Sequence, residues 1–182
     1  MFGTHKTVGL LAALLSAACN SAPASADTPE LTYRNSPFLM FDSTDGFSAN
    51  IELADVDNDG DLDVLLANGR HWAQQDYVYL NAGNGRLLEA RSIGDTMGPS
   101  YVVLAGDIDG DGDVDIVIGA GETSNVAYFN DGKGTFTALT LDDEAEDTYG
   151  VAIGDMDGDG IPDLVFANSE APNVVMTARR QK

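Results

Sequence analysis

Residues 106–120 read "GDIDGDGDVDIVIGA": five aspartates in nine positions, followed by an apolar run. Carboxylates that close repel one another unless something neutralises them. The pattern recurs in "LADVDNDGDLDVLLAN" from Leu53 and in "IGDMDGDGIPDLVFAN" from Ile153. The first aspartates, Asp55, Asp107 and Asp155, are spaced 52 and 48 residues apart. The flanks repeat as well: "DYVYLNAGNGRLLEA" and "NVAYFNDGKGTFTAL" both read as strand, Gly-containing turn, strand. Alternation and β-branched or aromatic enrichment predict strands at about 48–54, 63–67, 77–81 and 86–91, with counterparts in the later repeats. No helical period follows residue 27. Each repeat therefore holds about four short strands in roughly 50 residues, the size of a propeller blade. The expected fold is all-β and β-propeller-like, with three four-stranded blades at about 48–99, 100–147 and 148–182 of a domain spanning 27–182.

The shared loop pattern is D-x-D-x-D-G-x-x-D. Clustered carboxylates suit a hard cation, and Ca²⁺ takes six to eight oxygens at about 2.3–2.6 Å. Candidate ligands are Asp55, Asp57, Asp59 and Asp63 in the first loop, Asp107, Asp109, Asp111 and Asp115 in the second, and Asp155, Asp157, Asp159 and Asp163 in the third. Position seven is Asp61, Asp113 or Ile161, so that site needs only a backbone carbonyl. Glycine at position six permits the sharp turn. An EF-hand starts in the same way but needs a glutamate at position twelve and a following helix. Position twelve is Leu66, Ile118 or Phe166, inside a strand-like run. Ligation must therefore close at position nine, on the first residue of a strand. Asp/Gly-rich loops also serve as plain turns; three copies with identical spacing favour the cation.

"GDIDGDGDVDIVIGA" followed by "YFNDGKGTFT" resembles the FG-GAP/VCBS repeat, the blade of integrin-α-like β-propellers, over about residues 48–178. The resemblance implies four-stranded blades around an axis with Ca²⁺ in the loop joining the first two strands. It implies no single activity, since such repeats serve in adhesion, in carbohydrate or protein binding and as accessory domains of enzymes. Propellers of this family usually have about seven blades, whereas three repeats are present here.

The chain carries 30 acidic and nine basic residues, a net charge of −21. Such a surface repels nucleic acid and anionic lipid. Residues 1–26 read as an export signal: Lys6, an apolar stretch over 8–18, then an A-x-A site at 24–26. The rival reading is a lipoprotein signal in which Cys19, the sole cysteine, is lipidated. Either way the protein is exported, to be secreted, periplasmic or at the cell surface, and only a lipid on Cys19 would tie it to a membrane.

Catalysis is not expected. Beyond the signal, His71 is the only histidine and no cysteine remains. No nucleophile motif is present, and nothing distinguishes a glycosidase pair among Glu52, Glu89 and Glu122. One irregularity points to ligand contact instead. The distance from Asp63 to Asn81 is 18 residues, against 15 from Asp115 to Asn130. The insertion carries Arg70, His71 and the sole tryptophan, Trp72, a composition suited to a sugar or peptide. Trp72 folded back over the blade edge is the plainer alternative. "DDEAED", 142–147, reads as a solvated loop.

The expected function is an exported calcium-binding module that binds a carbohydrate or protein ligand or mediates adhesion. A purely structural scaffold and a polysaccharide-cleaving enzyme are the alternatives. The third repeat lacks an outer strand, and "LTYRNSPFLMF", 31–41, precedes the first inner strand as "TFTALTL" precedes the third. Residues 31–41 are thus a candidate outer strand that would complete blade three of a second chain in a six-bladed homodimer; the alternative is an incomplete propeller that stays a strained monomer or aggregates.

Overall fold

The computed structural model describes residues 31–34, 41, 46–95, 97–142 and 146–180. The signal region with Cys19, residues 35–40 of the candidate outer strand and residues 143–145 of the acidic run lie outside these. The chain divides into two units, 1–35 and 36–182. In the first, residues 31–34 are exposed and carry no strand.

The second unit consists of three antiparallel sheets, which do not close into a ring among the described residues. Sheet one comprises β1 (Ser48–Ala54), β2 (Asp63–Asn68), β3 (Tyr77–Asn81) and β4 (Leu87–Ser92), hydrogen-bonded in that order. Sheet two repeats the arrangement with β5 (Ser100–Gly106), β6 (Asp115–Ala120), β7 (Val126–Asn130) and β8 (Phe136–Thr140). Sheet three has β9 (Asp147–Gly154), β10 (Asp163–Ser169) and β11 (Val174–Met176), three strands rather than four. The strand boundaries fall within a residue or two of those expected. The inner strands β1, β5 and β9 stand side by side.

The continuous apolar run of β6, "DIVIGA", is buried at every position. A sheet covered on both faces needs no polar alternation, and sheet two is the middle one. Its two faces build two cores. One contains Val56, Leu65, Val78 and Ile93 from sheet one against Val103, Ile116, Ile118 and Tyr128 from sheet two. The other sets Ile108, Val117 and Ala127 of sheet two against Leu164 and Phe166 of sheet three. The outer strands β4 and β8 are mostly exposed.

The pairing of each inner strand with its neighbour slips near its start, at Ala49, Tyr101 and Tyr149. A β-bulge of this kind turns one side chain away from the pleat. The bulges lie at the end of each sheet opposite the acidic loops, because β1 enters at Ser48 and leaves at Ala54 into the loop. Seven extended residues separate the two ends, a span of about 20 Å.

Candidate metal centres and aromatic face

Each acidic loop turns on its own backbone. In loop two, Asp107 accepts the N–H groups of Gly110 and Gly112 at 2.7 and 3.1 Å. In loop three, Asp155 accepts those of Gly158 and Gly160 at 2.7 and 3.0 Å. In loop one, Asp55 accepts Asp59 and Gly60 at 3.1 and 2.9 Å. The position-six glycines Gly60, Gly112 and Gly160 have φ of 95°, 97° and 85°, a region that L side chains rarely enter. Position four is glycine in two loops and Asn58 in the other, at φ 59°, which asparagine tolerates.

Position nine does something the spacing alone does not reveal. Asp63, Asp115 and Asp163 are at most 1 % exposed. Each bridges its loop to the end of the third strand or just past it. Asp63 accepts Val56 N–H at 3.0 Å and Asn81 N–H at 2.8 Å. Asp115 accepts Ile108 and Asn130 at 3.0 and 2.9 Å, and Asp163 accepts Met156 and Ala178 at 2.8 and 2.9 Å.

Three carboxylate groups result: Asp55, Asp57 and Asp63; Asp107, Asp109 and Asp115; Asp155, Asp157 and Asp163. Within each, one oxygen per residue lies within 4.8 Å of the others. Oxygens each about 2.3–2.6 Å from one cation can be no more than about 5 Å apart, so the donor sets fit a calcium-sized ion. Asp57 Oδ1 is buried and accepts no hydrogen bond, leaving a buried acceptor that a cation would satisfy. Desolvation raises the Asp63, Asp109 and Asp115 carboxyls above the usual range, and neighbouring aspartates add to the shift. A cation would reverse that balance.

The remaining expected ligands, at positions five and seven, are not among these three groups. Position five, Asp59, Asp111 or Asp159, accepts the N–H of position seven at 2.9 Å in every loop. At position seven, Asp61 and Asp113 lie against Gly83 and Gly132 of the β-hairpin turns. Asp113 also accepts the Asn58 side-chain amide at 2.9 Å, tying loop two to loop one. Asn130 reaches back to Val56 O at 2.7 Å. Asn58 did not stand out in the sequence, and Asn130 served there only as a marker of the turn.

FG-GAP-like repeats match residues 55–118 and 107–166, more than half of the chain. The chain belongs to the FG-GAP-like repeat family. No curated protein matches its sequence. The two FG-GAP-like matches begin at Asp55 and Asp107, the position-one aspartates of the first two loops.

At the other end of the sheets of this FG-GAP-like chain lies an aromatic row. Phe47 and Trp72 rings are 4.8 Å apart, Trp72 and His71 6.2 Å, His71 and Tyr101 5.8 Å, and Tyr101 and Tyr149 4.6 Å. The row runs from sheet one to sheet three. Phe47, Trp72 and Tyr149 are 49 %, 58 % and 54 % exposed. Tyr101 and His71 share a 2.9 Å hydrogen bond, and desolvation, with the nearby Tyr149 hydroxyl, pushes the Tyr101 phenol up to about 12. The inserted loop is held rather than loose. Arg70 N–H bonds Ser100 O at 3.2 Å, and Gln74 and Gly98 exchange N–H···O bonds at 3.0 and 3.1 Å. A Cβ on Gly69 would meet Trp72 O at 2.3 Å and Gly98 O at 2.6 Å, so this turn admits only glycine. His71 and Trp72 join the row; Arg70, at φ 47°, belongs to the turn that presents them. Phe47, Tyr101 and Tyr149 were not legible as partners, because the bulges at which the two tyrosines stand arise from sheet pairing.

Proposed function

We propose that this FG-GAP-like chain is an exported, calcium-stabilised binding module whose ligand surface is the aromatic row. The row carries the reading: five rings cross all three sheets at one end, with three of them about half exposed. Exposed rings in line favour stacking against the apolar faces of sugar rings, and the phenol and imidazole groups supply hydrogen bonds at their margins. A carbohydrate is therefore the ligand class proposed, with binding rather than catalysis as the role. The acidic loops at the opposite end hold calcium and keep the sheets in place; Asp55, Asp57 and Asp63 and their counterparts are the proposed ligands.

Glycan-array binding of the chain, compared with Trp72→Ala and Tyr149→Ala, tests the ligand surface. Both variants should lose at least tenfold in affinity for the glycans retained by the parent, with unchanged thermal melting in calcium. Retained affinity in both would overturn this site. The metal reading is checked separately. Millimolar calcium should raise the melting temperature strongly relative to chelator, magnesium much less, and Asp109→Ala should shrink the calcium effect. Coincident melting curves in calcium and chelator would sink it.

A further inference from the structure

The two internal sheet-to-sheet interfaces define what a sheet presents to its neighbours. Equivalent positions follow from strand register: Ser48, Ser100 and Thr148 pair with Asn68, Ala120 and Asn168. Likewise Val78, Ala127 and Val175 pair with Leu65, Val117 and Val165.

On the face toward the following sheet, Val56 and Ile108 are 0 % and 7 % exposed, while their counterpart Met156 is 63 % exposed. Val78 and Ala127 are 1 % and 0 % exposed, against 51 % for Val175. On the face toward the preceding sheet, Val103 is 1 % exposed, but its counterpart Ile51 is 48 % exposed, and the neighbouring Leu53 is 53 %. Among the described residues, sheet three thus has no successor and sheet one no predecessor.

The polar contacts split in the same way. The residue before the third strand of each sheet is Asp76, Asn125 or Asn173. Each accepts the N–H at the end or just short of the end of the second strand, at 2.7, 3.0 and 3.0 Å. The other side-chain atom of Asp76 and of Asn125 meets the first hydroxyl of the next inner strand. Ser100 donates to Asp76 at 2.7 Å, and Asn125 donates to Thr148 at 3.0 Å. Asn173 and Ser48, the two unmatched halves of this contact, are both exposed. A second contact is halved too. Asn130 donates from one amide to its own Val114 O and to Val56 O of the preceding sheet. Asn81 donates to its own Leu62 O at 3.0 Å, and the carbonyl counterpart to Val56 O on the open sheet is that of Met156. Phe41 adds a third sign. It stands seven residues before Ser48, as Ile93 does before Ser100 and Leu141 before Thr148. Its ring packs on Tyr79 at 5.2 Å, the position where Tyr128 packs in the core with Ile93.

We propose that the open face of sheet three receives the open face of sheet one of a second copy of this chain, Asn173 meeting Ser48 and Met156 meeting Asn81, so that two copies close a ring of six sheets. Apolar and polar halves match position by position, so the contact continues the interface already built twice within the chain. Six sheets lie within the four to eight of closed propellers, and two head-to-tail contacts related by a two-fold close without leaving a growing end.

Sedimentation velocity of the full chain at micromolar concentration in calcium should give a dimer. Ile51→Asp, which places a charge on an exposed position of one copy, should give a monomer with unchanged far-ultraviolet circular dichroism. In a Cys19→Ala background, Ser48→Cys with Asn173→Cys should yield a disulfide-linked dimer under oxidation, and neither single cysteine should. This second measurement stands even if Ile51→Asp misfolds. A monomeric parent, a ladder of open oligomers, or equal cross-linking by a single-cysteine variant would each overturn the proposal.

Discussion

Asp76 occupies a position filled by asparagine in the other two repeats, and that difference has a measurable consequence. It is 6 % exposed, and its partners are Asn68 N–H and the Ser100 hydroxyl. Desolvation outweighs these two bonds and moves its pKa from 3.8 to about 6. The folded protein therefore holds this proton where the unfolded chain has released it. Its contribution is fully present below pH about 4 and is lost as pH rises through about 6. Asp76→Asn keeps an acceptor for Asn68 and a donor for Ser100, in the manner of Asn125 with Thr148. Urea denaturation in calcium should show Asp76→Asn more stable than the parent at pH 7.5, by about 1–3 kcal/mol, with the advantage vanishing near pH 4. A variant less stable than the parent at pH 7.5 would contradict this account.

Among the loops and strands, the aspartates of one motif separate into two kinds. Asp115 is a structural acceptor first: without it, the N–H groups of Ile108 and Asn130 lose their partner in a buried setting. Asp115→Ala should cost about 2–6 kcal/mol even in chelator, at about 1–3 kcal/mol per orphaned group. Asp109 accepts the N–H of Asp111 within its own exposed loop. Asp109→Ala should change chelated stability by less than about 1 kcal/mol while removing most of the calcium increment at that loop. Chemical denaturation of both variants, with and without calcium, separates the two roles; equal losses in chelator would refute the division. The repeat spacing made the loops and strands legible, because aspartate, glycine and β-branched residues act locally. The sharing of each position-nine carboxylate with the third strand was not legible, since its partners lie 15 or 18 residues away in the chain.

For the molecule as a whole, charge sets the conditions for folding. Fourteen of the 30 acidic residues, in a chain of net charge −21, stand in the three loops at one end of the sheets. General screening and specific ligation act differently on it, because the Debye length is about 8 Å at physiological ionic strength whereas loop carboxylates are closer than that. Sodium chloride should raise the chelated melting temperature modestly. Millimolar calcium at matched ionic strength should raise it several times further, and magnesium should resemble sodium. Calorimetric melting across these salts checks it; equal increments at matched ionic strength would mean that screening alone is at work.

Three spaced copies of D-x-D-x-D-G-x-x-D, each leading into an apolar strand, determined by themselves the all-β repeat class, the strand limits and the position of the acidic loops. Those properties are local: turn chemistry, side-chain alternation and charge density are written in consecutive residues. The sequence also marked the inserted loop with Trp72, since an insertion is visible wherever repeats align. Tertiary structure alone decided that Phe47, His71, Tyr101 and Tyr149 line up with Trp72, because two of them depend on bulges set by pairing with the neighbouring strand. It alone decided which apolar residues are core. Val103 and Ile51 hold equivalent places, and only the presence of a neighbouring sheet buries one at 1 % and leaves the other at 48 %. Burial belongs to what stands opposite a residue, and no single stretch of chain encodes that.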